Sequence, residues 1–243
     1  MASTSEVGHA KNVANFQDLM AFVEGYGTNY NPSKNSLKLP QLTTLFTDSG
    51  TALQHVVTKN TEYNNAENNR AAAFDDLRPL STRLVNALET TDASKEKIDD
   101  AKGFNRKLQG KRASKIEQPV DPTQEPPKTI SSSQQSYDQL IQHFAGLISV
   151  LDSEPSYAPN EIELKTTILK DKLIDLKDKN NKVATAYTAV SNSRIDRNKK
   201  LYKENSGLVD TATEVKKYIK SVYGATSPEF AQVKGIAFNI IKT

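Results

Sequence analysis

The chain has 243 residues, of which 36% are hydrophobic and 25% are charged, so it is long enough and apolar enough to bury a core. It contains no Cys, which excludes disulfide scaffolds, cysteine-ligated zinc sites and thiol catalysis. The 32 Lys and Arg residues nearly balance the 29 Asp and Glu residues, which argues against a protein whose whole surface binds phosphate groups. The lack of Trp and the low content of Gly and Pro favour an all-α fold over a β-sandwich.

The first half of the sequence predicts four helices. A short helix over about 11–25 is followed by a long helix over about 38–78. Pro79 lacks a backbone donor and is expected to end the long helix. A third helix over about 80–91 and a fourth that begins at Ser94, a good N-cap residue, complete this half.

The second half of the sequence repeats this order after a linker. Residues 111–133 contain four Pro and three consecutive Ser with few apolar residues, which is typical of a linker. Helices are then predicted over about 134–152, 160–205 and 208–223. A fourth helix is expected to begin at Ser227, with Pro at its first helical position.

The two halves align with each other as an internal duplication. The first helices align at a shift of about 121 residues, the long helices at about 127 and the fourth helices at about 132. A chance alignment of two amphipathic sequences is the alternative explanation. The sequence predicts an all-α helical bundle of two pseudo-repeated four-helix units, each with one long helix. The predicted domains are repeat 1 over 1–110, the linker over 111–133 and repeat 2 over 134–243.

Each long helix carries a coiled-coil-like seam, because its apolar residues are alternately four and three positions apart. The seams turn polar at their centres, where the candidate cluster comprises Glu67, Arg70, Arg194 and Arg197. Unpaired charges in a packed seam are costly, so these side chains are expected to be paired or solvated. Three interpretations stay open: an ion-pair cluster that fixes the register, a segment that projects into solvent, and an anion-binding pocket formed by the Arg residues. If the long helices pack antiparallel with their centres level, Glu67 is expected within ion-pair reach of Arg194 or Arg197.

The sequence contains no motif of a catalytic, cofactor or metal site. His9, His55 and His143 lack the spacing that places two metal ligands on one helical face. We expect His9 to lie in a mobile N-terminus and the other two to be structural. No P-loop, dinucleotide-binding glycine motif or nucleophile elbow is present. We therefore predict a protein that is not an enzyme, with no cofactor.

A basic patch lies at the end of the first half and the start of the linker. Its residues are Arg106, Lys107, Lys111, Arg112 and Lys115. Basic residues at the C-terminus of a helix interact favourably with the helix dipole and commonly serve solubility. The alternative interpretation is contact with phosphate groups, although Phe104 is the only aromatic residue available there for base stacking.

The longest apolar stretch, 144–151, is far shorter than the roughly 20 residues of a membrane-spanning helix. The N-terminus has neither the basic start nor the apolar run of a secretory signal. We therefore expect a cytoplasmic protein without a membrane partner.

Several motifs in the second half carry a resemblance to known sequences. They are YAPNE at 157–161, SNSRIDRN at 191–198, GLVDTA at 207–212, VKKYIKSVYG at 215–224 and ATSPEF at 225–230. Over about 155–236 the chain resembles a group of uncharacterised helical proteins of Bacteroidetes-type bacteria. The resemblance implies a soluble bacterial helical protein and brings no activity, catalytic residue or cofactor with it.

Two functions of different classes are compatible with these features. Long seams and a free linker favour a non-enzymatic structural or protein-interaction role, as a scaffold or a self-associating module. Its partner is then another protein or a second copy. The alternative is a nucleic-acid or ribosome-associated binding protein that uses the basic cluster 106–115, with nucleic acid the less favoured partner.

Overall fold

The protein is described from a computed structural model that covers residues 8–111 and 135–241. Within these ranges all regular elements are helical and no strand occurs, so the predicted all-α helical bundle is confirmed. Apart from Lys111, the predicted linker lies outside the described residues. The α-helices are α1 (His9–Gly25), α2 (Leu39–Phe74), α3 (Leu77–Glu89), α4 (Lys95–Leu108), α5 (Tyr137–Asp152), α6 (Thr166–Tyr202), α7 (Leu208–Tyr223) and α8 (Pro228–Lys234).

Serine side chains cap the starts of three helices. The hydroxyl of Ser94 accepts a hydrogen bond from the backbone N–H of Lys97 at the start of α4, and Ser136 caps α5 in the same way. Ser227 caps α8, in which Pro228 is the first residue. The two predicted caps, Ser94 and Ser227, are confirmed. Each cap satisfies one of the backbone donors that a helix start leaves unpaired.

The ends of the long helices differ from the prediction. Helix α2 ends at Phe74, and Pro79 lies in the first turn of α3 instead of breaking α2. A proline is tolerated there because a backbone N–H in the first turn has no intrahelical acceptor. Helix α6 begins at Thr166, later than predicted, because a 3₁₀ turn at Ile162–Leu164 precedes it.

Matching tyrosines fasten the turns that lead into the two long helices. The hydroxyl of Tyr30 donates to the carbonyl oxygen of Leu37 at 2.8 Å, and that of Tyr157 donates to the carbonyl oxygen of Leu164 at 3.0 Å. Both tyrosines are buried, and burial raises the pKa of Tyr157 to about 12. The same bond therefore recurs 127 positions apart, as expected for duplicated long-helix segments.

The buried positions of α1 and α5 correct the alignment of the first helices. Phe16 and Phe144 are fully buried, and both helices begin at positions that differ by 128 residues, not 121. The predicted shift was wrong by seven residues. A slip of one heptad leaves the apolar positions in phase, so hydrophobic spacing alone does not distinguish the two registers.

The chain forms two compact units. The described residues of the first unit are 8–63 and 186–241, and those of the second are 64–111 and 135–185. Each unit contains segments from both predicted repeats. The repeat boundaries are thus a separate division of the chain, and they stay a prediction.

Each unit has its own hydrophobic core. Helices α1, α7 and α8 and one end of each long helix supply the core of the first unit, whose fully buried residues include Phe16, Leu42, Leu201, Val215 and Ile219. Helices α3, α4 and α5 and the other ends of the long helices supply the core of the second unit, whose fully buried residues include Leu84, Leu108, Phe144, Leu147 and Leu176.

Within each unit the segments of α2 and α6 run antiparallel. In the first unit Asp48 pairs with Lys200 at 2.7 Å, and Asn60 accepts a hydrogen bond from Arg194 at 3.3 Å. In the second unit Arg70 donates to Asn180 at 3.2 Å. Seam positions such as Leu42, Ser49 and Val56 in α2, and Leu169, Leu176 and Val183 in α6, are buried. The predicted seams are confirmed at these positions.

Two buried asparagines in α1 hold the C-terminal segment of the first unit. The side-chain amide of Asn12 donates to the carbonyl oxygen of Asn239 at 2.6 Å and accepts from its N–H at 3.0 Å. Asn15 donates to the carbonyl oxygen of Ala237 at 2.6 Å. These bonds satisfy backbone groups of an irregular segment that has no helical partner. Hydrophobic spacing did not predict either residue.

Candidate functional site

The predicted polar cluster is divided between the two units. Glu67 and Arg70 belong to the second unit, whereas Arg194 and Arg197 belong to the first. Each pair is therefore described within its own unit. The predicted ion pair between Glu67 and an Arg of α6 stays a prediction.

In the second unit, Arg70 has several favourable partners. Its guanidinium lies 4.0 Å from the ring centre of Tyr137 and donates to the side-chain oxygen of Asn180 at 3.2 Å. The Glu67 carboxylate is 3.8 Å away, one helical turn earlier in α2. The Tyr137 ring, the Asn180 oxygen and the Glu67 carboxylate compensate in part for the burial of this charge. The Nε atom of Arg70 is buried without a hydrogen-bond partner among the described residues.

In the first unit, Arg197 is the most deeply buried of the four residues, with 7% of its surface exposed. Its Nε and Nη2 atoms both donate to the side-chain oxygen of Asn198, at 3.1 and 2.8 Å. In the described part of the chain no carboxylate lies within 4.0 Å of it. Burial lowers the pKa of Arg197, Tyr202 opposes this shift, and the nearby charge of Arg194 lowers the pKa further.

Arg194 does not occupy the seam position that its spacing predicts. It is exposed, and its guanidinium donates to the side-chain oxygen of Asn60 at 3.3 Å. Ser193 is buried in its place and donates to the carbonyl oxygen of Val190 at 2.7 Å. A small hydroxyl with a backbone acceptor costs much less to bury than a second guanidinium beside Arg197.

A polar group from α1 lies beside Arg197. The ring nitrogen Nδ1 of His9 is 2.7 Å from the hydroxyl of Tyr202, and Asn12 donates to the same hydroxyl at 3.3 Å. The expectation that His9 lies in a mobile N-terminus was wrong, because His9 begins α1 and is half-buried. Burial lowers the pKa of His9, and the positive charge of Arg197 lowers it further.

Two tyrosines meet on the long helices of the first unit. The rings of Tyr63 and Tyr187 are 5.9 Å apart, and Tyr187 is 60% exposed although it occupies a predicted seam position. Arg194 lies two helical turns from Tyr187 on α6 and contacts Asn60, which lies one turn before Tyr63 on α2. We call Asn60, Tyr63, Tyr187 and Arg194 the tyrosine–arginine face. Sequence spacing identified its members only as seam positions.

The basic patch is only partly within the described residues. Arg106 and Lys107 are exposed in the last turn of α4, and Lys111 is exposed after it. Arg112 and Lys115 lie outside the described residues. The backbone N–H groups of Gly110 and Lys111 bond to the carbonyl oxygens of Lys107 and Arg106, a Schellman end. The structure places two of the five residues where basic side chains interact favourably with the helix dipole.

His143 is a buried titratable group in the second unit. It lies in α5 with 5% of its surface exposed, and its Nε2 atom has no hydrogen-bond partner within the described ranges. Burial lowers the pKa of His143, and the positive charge of Lys107 lowers it further. The charged form of this side chain is therefore disfavoured in the folded protein.

We predict that acid destabilises the protein partly through His143. The unfolded chain takes up the proton first, since its histidine has the ordinary pKa of about 6.5. Stability is therefore fully present above that pH and is lost as the pH falls through the lowered folded value. Urea unfolding followed by circular dichroism between about pH 7.5 and pH 5 should show a smaller pH dependence in His143→Leu. The exposed His55→Leu variant is the control, and identical pH slopes in wild type and His143→Leu would contradict the prediction.

Two general observations apply to the described ranges. No group of three or more His, Cys, Asp or Glu side chains there is arranged to hold a metal ion. None of the helices in 8–111 and 135–241 is both long enough and apolar enough to cross a membrane.

Comparison with known proteins finds no matching family model, no matching curated protein and no matching solved structure.

Proposed function

We propose that the protein is a non-enzymatic protein-interaction module whose tyrosine–arginine face binds an acidic partner protein. The observation that carries this proposal is the exposure of Tyr187, which packs against Tyr63 yet leaves 60% of its surface open. Tyr and Arg are the residue types that most often dominate binding energy at protein interfaces. A tyrosine also supplies a large contact area at a low cost in conformational entropy.

The charge of this region favours an acidic partner. Among the described residues, the hydrogen bonds of Arg194 and Arg197 go to neutral amide oxygens, whereas the neighbouring Lys199 and Lys200 pair with Asp196 and Asp48. The excess positive charge is therefore local to the two guanidinium groups. Complementary charge on a partner would steer association and select against basic surfaces.

Site-specific cross-linking tests the proposal. A photoreactive phenylalanine at position 187 should cross-link to an acidic segment of another protein, and the same probe at the exposed Val222 is the matched control. We expect Arg194→Ala to weaken the purified complex about tenfold or more, as for an interface hot spot. Cross-linking equally from both positions would contradict the proposal, and so would cross-linking to a second copy, which would favour self-association.

The nucleic-acid alternative stays a prediction and has its own test. A gel-shift titration at about 50 mM salt should show no retention of DNA or RNA, because phosphate binding strengthens steeply as salt falls. Retention that is lost in the Lys107→Glu and Lys111→Glu variants would favour the alternative instead.

The cytoplasmic location is part of the proposal and is tested by fractionating cells.

A further inference from the structure

We infer that Arg197, with Arg194 beside it, is a receptor for a side-chain carboxylate of the acidic partner. This inference rests on the proposed function and names the chemical group that the partner must supply. Three features of the described residues in the first unit support it. They are the donors of Arg197 that have no carboxylate partner, the arginine at the position where the second unit has an acid, and the absence of acids in the first turn of α1.

Arg197 is buried, and no carboxylate of the described residues pairs with it as one normally does with a buried guanidinium. A guanidinium presents five N–H donors, and here Nε and Nη2 share the single amide oxygen of Asn198. A buried charge without a counter-charge is strongly unfavourable. A carboxylate matches the free donors because its two oxygens accept parallel N–H bonds from one guanidinium.

Comparison with the second unit shows which group is missing. At the shift of 127 that relates the long helices, Arg197 corresponds to Arg70, and Arg194 corresponds to Glu67. Glu67 lies 3.8 Å from Arg70, so the second unit supplies its own carboxylate. In the first unit a second cation takes the place of that acid. The described residues of the first unit thus contain the arginine of the pair without its counter-charge.

Within 8–63 and 186–241, the groups near Arg197 provide no substitute for this carboxylate. The groups near it include the imidazole of His9 and the hydroxyl of Tyr202, and this hydroxyl bonds to both His9 and Asn12. The first turn of α1 contains no acidic residue, and its N-cap is Gly8, which has no side chain to cap the helix. The positive end of the α1 dipole therefore adds to the potential that favours an anion here.

Arginine side-chain NMR tests the receptor directly. Full-length protein labelled with ¹⁵N is titrated with N-acetyl-glutamic acid α-amide, whose only charge is the side-chain carboxylate, at constant ionic strength. The Nε–H resonance of Arg197 should shift and saturate in the millimolar range, while N-acetyl-glutamine amide leaves it unchanged. Equal responses to both compounds, or no response to either, would overturn the inference. A response to inorganic phosphate but not to the carboxylate would overturn the assignment of the ligand.

Two charge-matched variants sharpen the test. Arg194→Glu restores the acid found in the second unit, so it should raise the thermal midpoint by a few degrees and weaken the response of Arg197 at least tenfold. Lys199→Glu makes the same charge change on the same helix and should leave the response intact. A loss of response in both variants would overturn the inference, since it would mean that the net charge of the protein, and not Arg194 itself, determines the binding of the carboxylate.

An acid from the protein itself is the competing occupant. Glu6 precedes His9 by three residues and lies outside the described residues. If Glu6→Gln strengthened the response of Arg197 tenfold, the chain's own carboxylate would fill the receptor and the inference would be overturned. An unchanged response supports it. Cross-linking from position 187 is independent of these titrations, so a failure of the receptor is distinguishable from a failure of the interaction function.

Discussion

Replacing Phe144 by Ala is expected to lower the free energy of unfolding by about 3–5 kcal/mol, through lost contacts in the second unit. Phe144 is fully buried in α5 and belongs to the core that α3 and α4 share with it. Such a truncation removes apolar contacts and leaves a cavity that a rigid helical core fills only in part. Urea unfolding measures the loss, and amide hydrogen exchange locates it.

Phe16→Ala is the matched variant in the first unit. Phe16 is fully buried in α1 at the position that corresponds to Phe144, so a loss of similar size is expected. Faster amide exchange should begin in α5 for Phe144→Ala and in α1 for Phe16→Ala. The exposed Gln142→Ala and Gln17→Ala variants are the controls. Loss of protection in the same helices for both Phe variants would contradict the assignment of these residues to separate cores.

Much of the helical fold could be predicted because its signals are local. Serine caps, the turns with Tyr30 and Tyr157 and the seam spacing each depend on residues within a few positions of one another. The alignment of the α1 sequence with the α5 sequence could not be fixed, since a shift of one heptad keeps every apolar residue in phase. The buried Asn12 and Asn15 were also missed, because their partners are backbone groups more than 220 residues away.

The candidate site could be predicted in composition but not in arrangement. The sequence indicated that charged residues interrupt the seams, and Arg70 and Arg197 are indeed largely buried. It did not show that Arg194 gives up its seam position to Ser193, because the choice depends on which neighbour is cheaper to bury. Nor did it show the partners of Arg70, since Tyr137 and Asn180 approach only through tertiary packing.

Gly207→Ala is expected to destabilise the first unit by about 2–3 kcal/mol. This value lies in the upper part of the range of about 1–3 kcal/mol that is typical when a group is added to a well-packed site. A Cβ atom at Gly207 would lie 2.6 Å from the backbone nitrogen of Lys203 and 2.9 Å from the carbonyl oxygen of Leu201. Both are backbone atoms and are unable to swing aside as a side-chain tip would. The φ of Gly207 is −73°, so the cost arises from contact and not from its dihedral angles.

The control for Gly207 is Gly50→Ala in α2, where an added Cβ meets no atom within 4 Å. Relief of the helix-interior glycine penalty should make that variant neutral or more stable by up to about 1 kcal/mol. Thermal unfolding of both variants measures the difference between their midpoints. Equal midpoints would mean that the turn after α6 has room for a side chain. The N–H of Gly207 donates to the Lys203 carbonyl at 2.6 Å, which holds the two residues close together. A loss of stability in Gly207→Ala alone would show that this close approach requires glycine before the start of α7.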